Sequence, residues 1–329
     1  MKPFRAVTAF FTLITFLLLC SCQPHKPGLW VNNDIEHDMR DQLHALNKIL
    51  FAGLQANNDK MLAGIWSKRM IDNPGRLRTV ELIGNRMKEA PFDILDEFYI
   101  VSEKKGPHSI GMHNKGINSY TINYDADTRE MYIVFFVPKT NANRWMASAI
   151  YRKFDYGWKL DRLGLSQYMA NGKTAPELYE YAKQELAKHY LVNAVNAMAE
   201  ARSCLTPYVD WHYPDSARIE SVYNKLVNIA NRKYVFPYTI GQVATKPRVF
   251  AIYTETKPEG VFPVVAYKST IKLQDTIALK KENENIKRVI GKQVPGIDKD
   301  KKYIYYYIYN EWPRYDRSVD RYEIRDLLK

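Results

Sequence analysis

Cysteine is scarce in this chain: three in 329 residues, at positions 20, 22 and 204. Paired cysteines at zinc-finger spacing are absent, and so is any His-x-x-x-His pair, so the sequence offers no metal-ligand set of recognisable spacing. His37 and His44 lie seven apart, on one face of a helix but two turns apart, with Asp38 and Asp41 nearby, and nothing completes a site. Glycine-rich phosphate loops are also missing, since Gly291-Lys292 lacks both the preceding glycine and the following Ser or Thr. No Gly-x-Ser-x-Gly elbow supports serine-hydrolase chemistry. The uncharged apolar run at 6–19 falls short of the ~20 residues that a membrane-spanning helix needs. No cofactor and no metal is expected from these features.

What is abundant is positive charge and tyrosine. The formal net charge is +12, and 24 residues are Tyr. Residues 34–172 carry 19 basic and 17 acidic side chains, whereas residues 173–329 carry 26 and 19. A basic C-terminal half is attracted to anionic headgroups or acidic polymers, or is simply a lysine-rich solvated surface. Nucleic acid is not expected as a partner, because no recognition motif accompanies the charge.

At the N-terminus Lys2 and Arg5 precede the apolar run, which has the length of a signal-peptide core. It ends in Leu19-Cys20-Ser21-Cys22, which resembles the lipobox of a bacterial lipoprotein. That resemblance implies removal of residues 1–21 as a signal peptide, diacylglyceryl transfer to the Cys22 thiol and acylation of the new N-terminus. Several acyl chains, at ~0.8 kcal/mol per buried CH₂, make a stable anchor in the lipid bilayer. By the sorting habits of bacterial lipoproteins, which come with the resemblance, the non-acidic Gln23 implies outer-membrane placement, and the lack of an acidic run in the tether implies that the protein faces the periplasm. With Cys20 removed and Cys22 acylated, Cys204 becomes the sole thiol, an intramolecular disulfide is impossible, and the core must hold the fold unaided. Residues 22–33, with two prolines in Gln-Pro-His-Lys-Pro-Gly, are expected to be a tether.

The body is expected to be α+β in two domains, 34–172 and 173–329. Asn33 and Glu36 have capping-box spacing, and Ile35, Met39, Leu43, Leu46, Leu50 and Leu54 follow with helical periodicity. Shorter helices are expected at 58–70 and 78–88, then strands at 93–102, 118–124, 130–138, 144–155 and 158–164. The strand at 130–138 is apolar on both faces, as a strand covered on both sides should be. Helices first, then an antiparallel meander closed by Trp158-Lys159-Leu160, is similar to the NTF2-like (cystatin-like) cone. The resemblance covers residues 34–172 and implies helices packed in a curved sheet with an internal pocket.

Asn171-Gly172-Lys173 is the expected boundary. Thr174 and Glu177 form a capping box with Pro176 in the first turn, opening a helix that runs to about residue 203. Beyond it a helix is expected at 216–232, strands at 234–240, 248–256 and 261–273, a helix capped by Asp275 and ending near 291, a strand at 302–312 and a terminal helix at 319–328.

Enzymes of the NTF2-like family place acids, histidines or tyrosines in the pocket for proton transfer. The residue types available for such a role are Asp96, Glu97, His108 and His113, with Tyr99 or Tyr120 as donors. Their spacing has no fixed relation, and both histidines sit in loop-like sequence, so exposed loop histidines are the simpler expectation. The other unusual segment is 303–309: Tyr303, Tyr305, Tyr307 and Tyr309 share one face of a strand, and Ile304, Tyr306 and Ile308 the other. With Trp312 beside it, the tyrosine face is either a second packed face, meeting Tyr253 and Tyr267 across strands, or a platform for glycan or peptidoglycan. The combined expectation is a non-catalytic binding or scaffolding lipoprotein of the cell envelope. Its partner would be an envelope protein, anionic headgroups or glycan. A pocket isomerase, dehydratase or hydrolase is the alternative.

Overall fold

The computed structural model describes residues 26–139, 142–257, 259–314 and 316–328; Cys22 and the lipobox lie outside the described residues. Five strands form the first sheet: β1 (Gly28–Val31), β2 (Phe92–Val101), β5 (Glu130–Pro138), β6 (Trp145–Phe154) and β7 (Gly157–Gln167). They run antiparallel in the order β1-β2-β5-β6-β7. Strand β1 occupies part of the stretch expected as tether, pairing Gly28–Val31 with Val101–Phe98, so residues 28–31 belong to the first sheet.

Successive side chains of β5 point to opposite faces, and both faces are buried. On one, Tyr132, Val134 and Phe136 pack beneath Leu43, Leu50 and Leu54 of α1 (His37–Gln55) and Val80, Ile83 and Met87 of α4 (Arg76–Glu89). On the other, Met131, Ile133 and Phe135 join a core that includes Leu178 and Ala182 of α5 (Ala175–Ala187). The same core takes in Ala194 and Met198 of α6 (Leu191–Ser203), and Ile219 and Leu226 of α7 (Ser216–Lys233). A small sheet of β3 (Gly106–Met112), β4 (Tyr120–Ala126) and β8 (Trp211–His212) completes that layer. Trp211 of β8 is buried, stacked on Tyr120 at 3.6 Å between ring centroids and edge-on to Phe135 at 5.3 Å. One continuous core therefore crosses the Asn171–Lys173 turn.

The second sheet runs β13-β12-β11-β10-β9, from β9 (Tyr238–Thr239), β10 (Arg248–Lys257), β11 (Gly260–Lys268), β12 (Tyr303–Tyr309) and β13 (Tyr322–Leu327). Its β11–β12 pair is parallel, which requires a crossover, and α8 (Thr276–Gln293) supplies it. Asp275 caps α8 by accepting from Ala278 N at 3.0 Å. Leu279, Ile286 and Ile290 of α8 cover Val265, Tyr267, Ile304, Tyr306 and Ile308.

Several elements depart from their expected form. Residues 319–328 are not a helix: Tyr322–Leu327 pairs with β12 as an edge strand, and its alternation Tyr322, Ile324, Asp326 has period two. The helix expected from Thr174 to about 203 is two, because His189 between α5 and α6 takes a left-handed conformation (φ 64°). The apolar spacing stays in register across that turn because the two helices share one core. The helix expected at 58–70 is two single turns, α2 (Asp59–Leu62) and α3 (Lys68–Ile71). At the start of α1 the Asn33–Glu36 capping box does not form; Glu36 occupies the N-cap with no side-chain cap bond. Strand β3, with apolar residues only at Ile110 and Met112, gave too weak an alternation to be foreseen.

Because Trp211 seals the second face of the first sheet, Trp211→Ala is expected to cost about 3–5 kcal/mol. Urea unfolding followed by far-ultraviolet circular dichroism measures this, and a loss under 1 kcal/mol would contradict a shared core.

Candidate functional site

Strand β2 places two acidic side chains in the centre of the first sheet, on opposite faces. A bulge at Leu95 shifts the β2–β5 register, after which Asp96 opposes Phe135 and Glu97 opposes Val134. Asp96 is fully buried and accepts from Lys115 Nζ at 2.6 and 2.7 Å, Tyr120 OH at 2.7 Å and Asn32 Nδ2 at 3.0 Å. Asn32 reaches it from a left-handed backbone conformation (φ 53°), which asparagine tolerates, and its Oδ1 accepts from Glu97 N at 2.8 Å. On the other face Glu97 accepts from Tyr132 OH at 2.5 Å and meets His44 Nε2 at 2.9 Å, while Asn47 Nδ2 donates to Tyr132 OH at 2.9 Å.

Burial, reinforced by the adjacent carboxylates, pushes the Tyr120 and Tyr132 phenols far above their ordinary range. Both stay protonated and act as fixed donors. A general base has to meet its substrate's proton at hydrogen-bond distance. The lone pairs of Asp96 are instead directed at three donors within the protein, and no part of the side chain is exposed. These acids act as structural hubs: Asp96 ties β2 to the 32 and 115 turns, and Glu97 ties it to α1.

The two sequence-predicted histidines are not brought to this pair. His108 lies on β3, stacked on Tyr124 at 5.5 Å, with Nε2 at 3.1 Å from Lys104 O. His113 is exposed at the end of β3, lining a depression of about 490 Å³ with Asn32, Asp34 and Asn114. The histidine that does reach an acid is His44, and the cation that does is Lys115. An inward histidine on the apolar side of α1, next to Leu43 and Asn47, was the available signal for the first; Lys115 carried none. His37 faces Asp41 at 3.3 Å instead, and no group of three potential metal ligands occurs among the described residues. Tyr99 donates to Glu130 at 2.7 Å, away from both acids.

The tyrosine strand is β12. Tyr305, Tyr307 and Tyr309 are buried and Tyr303 half-buried, on the face opposite α8. Among the described residues no helix contributes to their cluster, which comprises side chains of β10, β11 and β12 with Val319. Long cationic side chains complete the cover. Arg321 lies over Tyr307 at 3.8 Å, Lys257 over Tyr305 at 4.8 Å and Arg325 over Tyr303 at 5.0 Å. Tyr307 OH also donates to Glu255, which accepts from Lys257 at 2.8 Å. Of the expected cross-strand neighbours, Tyr253 shares this face through Val264, but Tyr267 lies on the α8 face with Tyr306.

At the corner of the sheet the cover opens. Trp312 is half-buried, 5.7 Å from Phe250, whose ring is 5.5 Å from Tyr309. Arg248 and Lys268 lie over the Trp312 ring at 4.9 and 5.1 Å, and neither has a carboxylate within ion-pair distance among the described residues. On the same face Lys257 pairs with Glu255 and Arg325 with Glu259, whereas Lys302, over the Tyr303 ring at 5.1 Å at the other end of β12, also lacks a carboxylate partner among the described residues. An indole beside two unpaired cations can stack on a sugar ring and pair with acidic groups.

No family model matches the sequence, and neither a curated protein nor a solved structure is found similar to it.

With Asp96 buried, Lys115→Met would strand a carboxylate at the sheet centre. A loss on the order of 3 kcal/mol is expected, largely recovered in the double variant with Asp96→Asn. Chemical denaturation of the two variants checks this, and equal stabilities would show that Lys115 does not hold Asp96.

Proposed function

We propose that the protein is a lipid-anchored, non-catalytic binding protein of the cell envelope, held through acylated Cys22 at the outer membrane and facing the periplasm. Its contact surface is the Phe250–Tyr309–Trp312 corner with Arg248 and Lys268, and its partner an acidic glycan strand of the envelope. The observation that carries the reading is this corner, where two cations without a carboxylate partner among the described residues flank a half-buried indole. Charge complementarity selects an acidic polymer over a neutral one, and the aromatic surface selects a glycan over a simple polyanion.

The NTF2-like reading of residues 34–172 remains a proposal that rests on element order, with α1 and α4 ahead of an antiparallel sheet that closes in Trp158–Leu160. The pocket-enzyme alternative draws less support. The sheet face beneath α1 is filled by Leu43, Leu50, Tyr132, Phe136 and Tyr151, and the acids available for proton transfer are engaged internally.

Two measurements test the proposal. Cells producing the protein should incorporate labelled palmitate into it, and the Cys22→Ser variant should not; labelling that persists in Cys22→Ser overturns the anchor. Purified protein lacking the acyl group should co-sediment with peptidoglycan sacculi in a salt-sensitive manner. Trp312→Ala should weaken that binding about fivefold, the effect of losing ~1 kcal/mol of stacking between the indole and a sugar ring. Unchanged binding by Trp312→Ala and by Arg248→Ala/Lys268→Ala would rule out this corner.

A further inference from the structure

A second site lies where α5, α6, the Asn171 turn, the start of β11 and the segment before β12 converge. The cleft measures about 340 Å³, within the roughly 300–1,000 Å³ of small-ligand pockets. Its walls are fixed by Asn171, which adopts a left-handed conformation (φ 50°). The Asn171 amide accepts from Val261 N at 2.7 Å, and donates to Val261 O and to Glu200 Oε2, each at 3.1 Å. Asn143 Oδ1 holds the Asn171 N–H at 2.9 Å. Gly260 leaves the room: a side chain there would come within 2.7 Å of Asn171 Oδ1.

The charges around the cleft are unequally engaged. Of the rim acids, Asp300 pairs with Lys188 at 3.0 Å and Glu259 with Arg325 at 3.6 Å. The lysines of the cleft, Lys173, Lys301 and Lys302, have no carboxylate within ion-pair distance among the described residues. Lys173 and Lys301 instead lie over the Tyr181 ring at 5.5 and 5.0 Å, and Lys301 Nζ donates to Tyr181 OH at 3.3 Å. Leu178, Val261 and Phe262 supply an apolar wall. Glu200, only 8% exposed, projects from α6 into this field.

We propose that the cleft binds a small, soluble organic anion, its carboxylate, phosphate or sulfonate head held by Lys173 and Lys301 and its body against Leu178, Val261 and Phe262, with Glu200 as a proton-linked gate. This goes beyond the envelope-binding reading and does not rest on it. Burial pushes the Glu200 carboxyl up to about 7, against the opposing pull of Lys301, the Asn171 amide and Lys173. The charged and titratable groups around it are Lys173, Lys301, Lys302, Glu259, Asp300 and the Tyr181 phenol at the cleft, with Cys204 behind it on the α6 side. The Cys204 thiol is pushed up to about 12 by burial and stays neutral. Below pH 7 Glu200 is neutral, the ammonium groups act unopposed, and the carboxyl itself offers an O–H donor. Above pH 7 its carboxylate competes with the ligand for the same lysines. Affinity for a permanently ionised anion therefore falls as pH rises through 7.

Calorimetric titration with benzenesulfonate, which stays ionised throughout, tests both parts on the full chain. Binding is expected to be about tenfold tighter at pH 6 than at pH 8, the change that one linked proton produces over one pH unit of full linkage. Lys173→Met/Lys301→Met, at half-buried positions, should lose binding at both pH values while keeping the wild-type circular dichroism spectrum. Glu200→Gln should bind with equal affinity at pH 6 and pH 8. Wild-type affinity in the lysine double variant, or no benzenesulfonate binding by the wild type at pH 6, overturns the site. Wild-type binding that is the same at pH 6 and pH 8, checked without any variant, overturns the gate.

Discussion

Strand β5 carries large apolar side chains on both faces, and neither face can remain in water. Helices α1 and α4 remove one face; the other needs α5, α6 and the Trp211 indole, which come from beyond the Asn171 turn. Burial of this kind scales with the apolar area removed from water, at about 25 cal/mol per Å². A sheet with one bare face would forfeit much of what stabilises it. The remaining architecture follows from this requirement. The second sheet is joined to the first at the point where α6 and the Asn171 turn meet β11, and the Glu200 cleft is the gap left at that junction.

The same two-sided burial explains the fate of the acids on β2. A carboxylate inside a covered sheet is tolerated only with cations and donors around it. Asp96 and Glu97 are each met by one cationic or imidazole partner and a phenol, on opposite faces. Glu200 differs because its surroundings are incomplete. One oxygen is held by Asn171, and its lysine neighbours lie at Coulombic rather than bonding range. An acid so placed is where a protonation change is within reach near neutrality.

Local periodicity made much of the fold legible. The stripe of α1, the Asp275 cap of α8 and the two-faced character of residues 130–138 and 303–309 all rest on patterns within a single segment. Partner choice was not local. Nothing near Trp211 announces that it packs on a sheet about 75 residues earlier, and nothing near Lys115 points to Asp96. Residues 322–327 form a strand because β12 offers an open edge, which a helix-compatible sequence does not reveal. Glu200 was hidden for the opposite reason. It sits among Ala197, Ala201 and Cys204 on a helix that also carries Asn193, Asn196 and Arg202, so nothing local sets it apart, and only the junction with β11 gives it its surroundings.

The position of Trp211 in the chain also sets an order of assembly. A chain emerging from its N-terminus completes the strands of the first sheet by residue 167, but the cover for the second face extends to Leu226. Domains fold as units as they emerge, at about 5–20 residues per second. Over this interval the sheet holds Ile133 and Phe135 open to whatever else is nearby, and its completion waits on the chain behind it. Premature release at residue 172 would yield an adhesive fragment and not a smaller working protein.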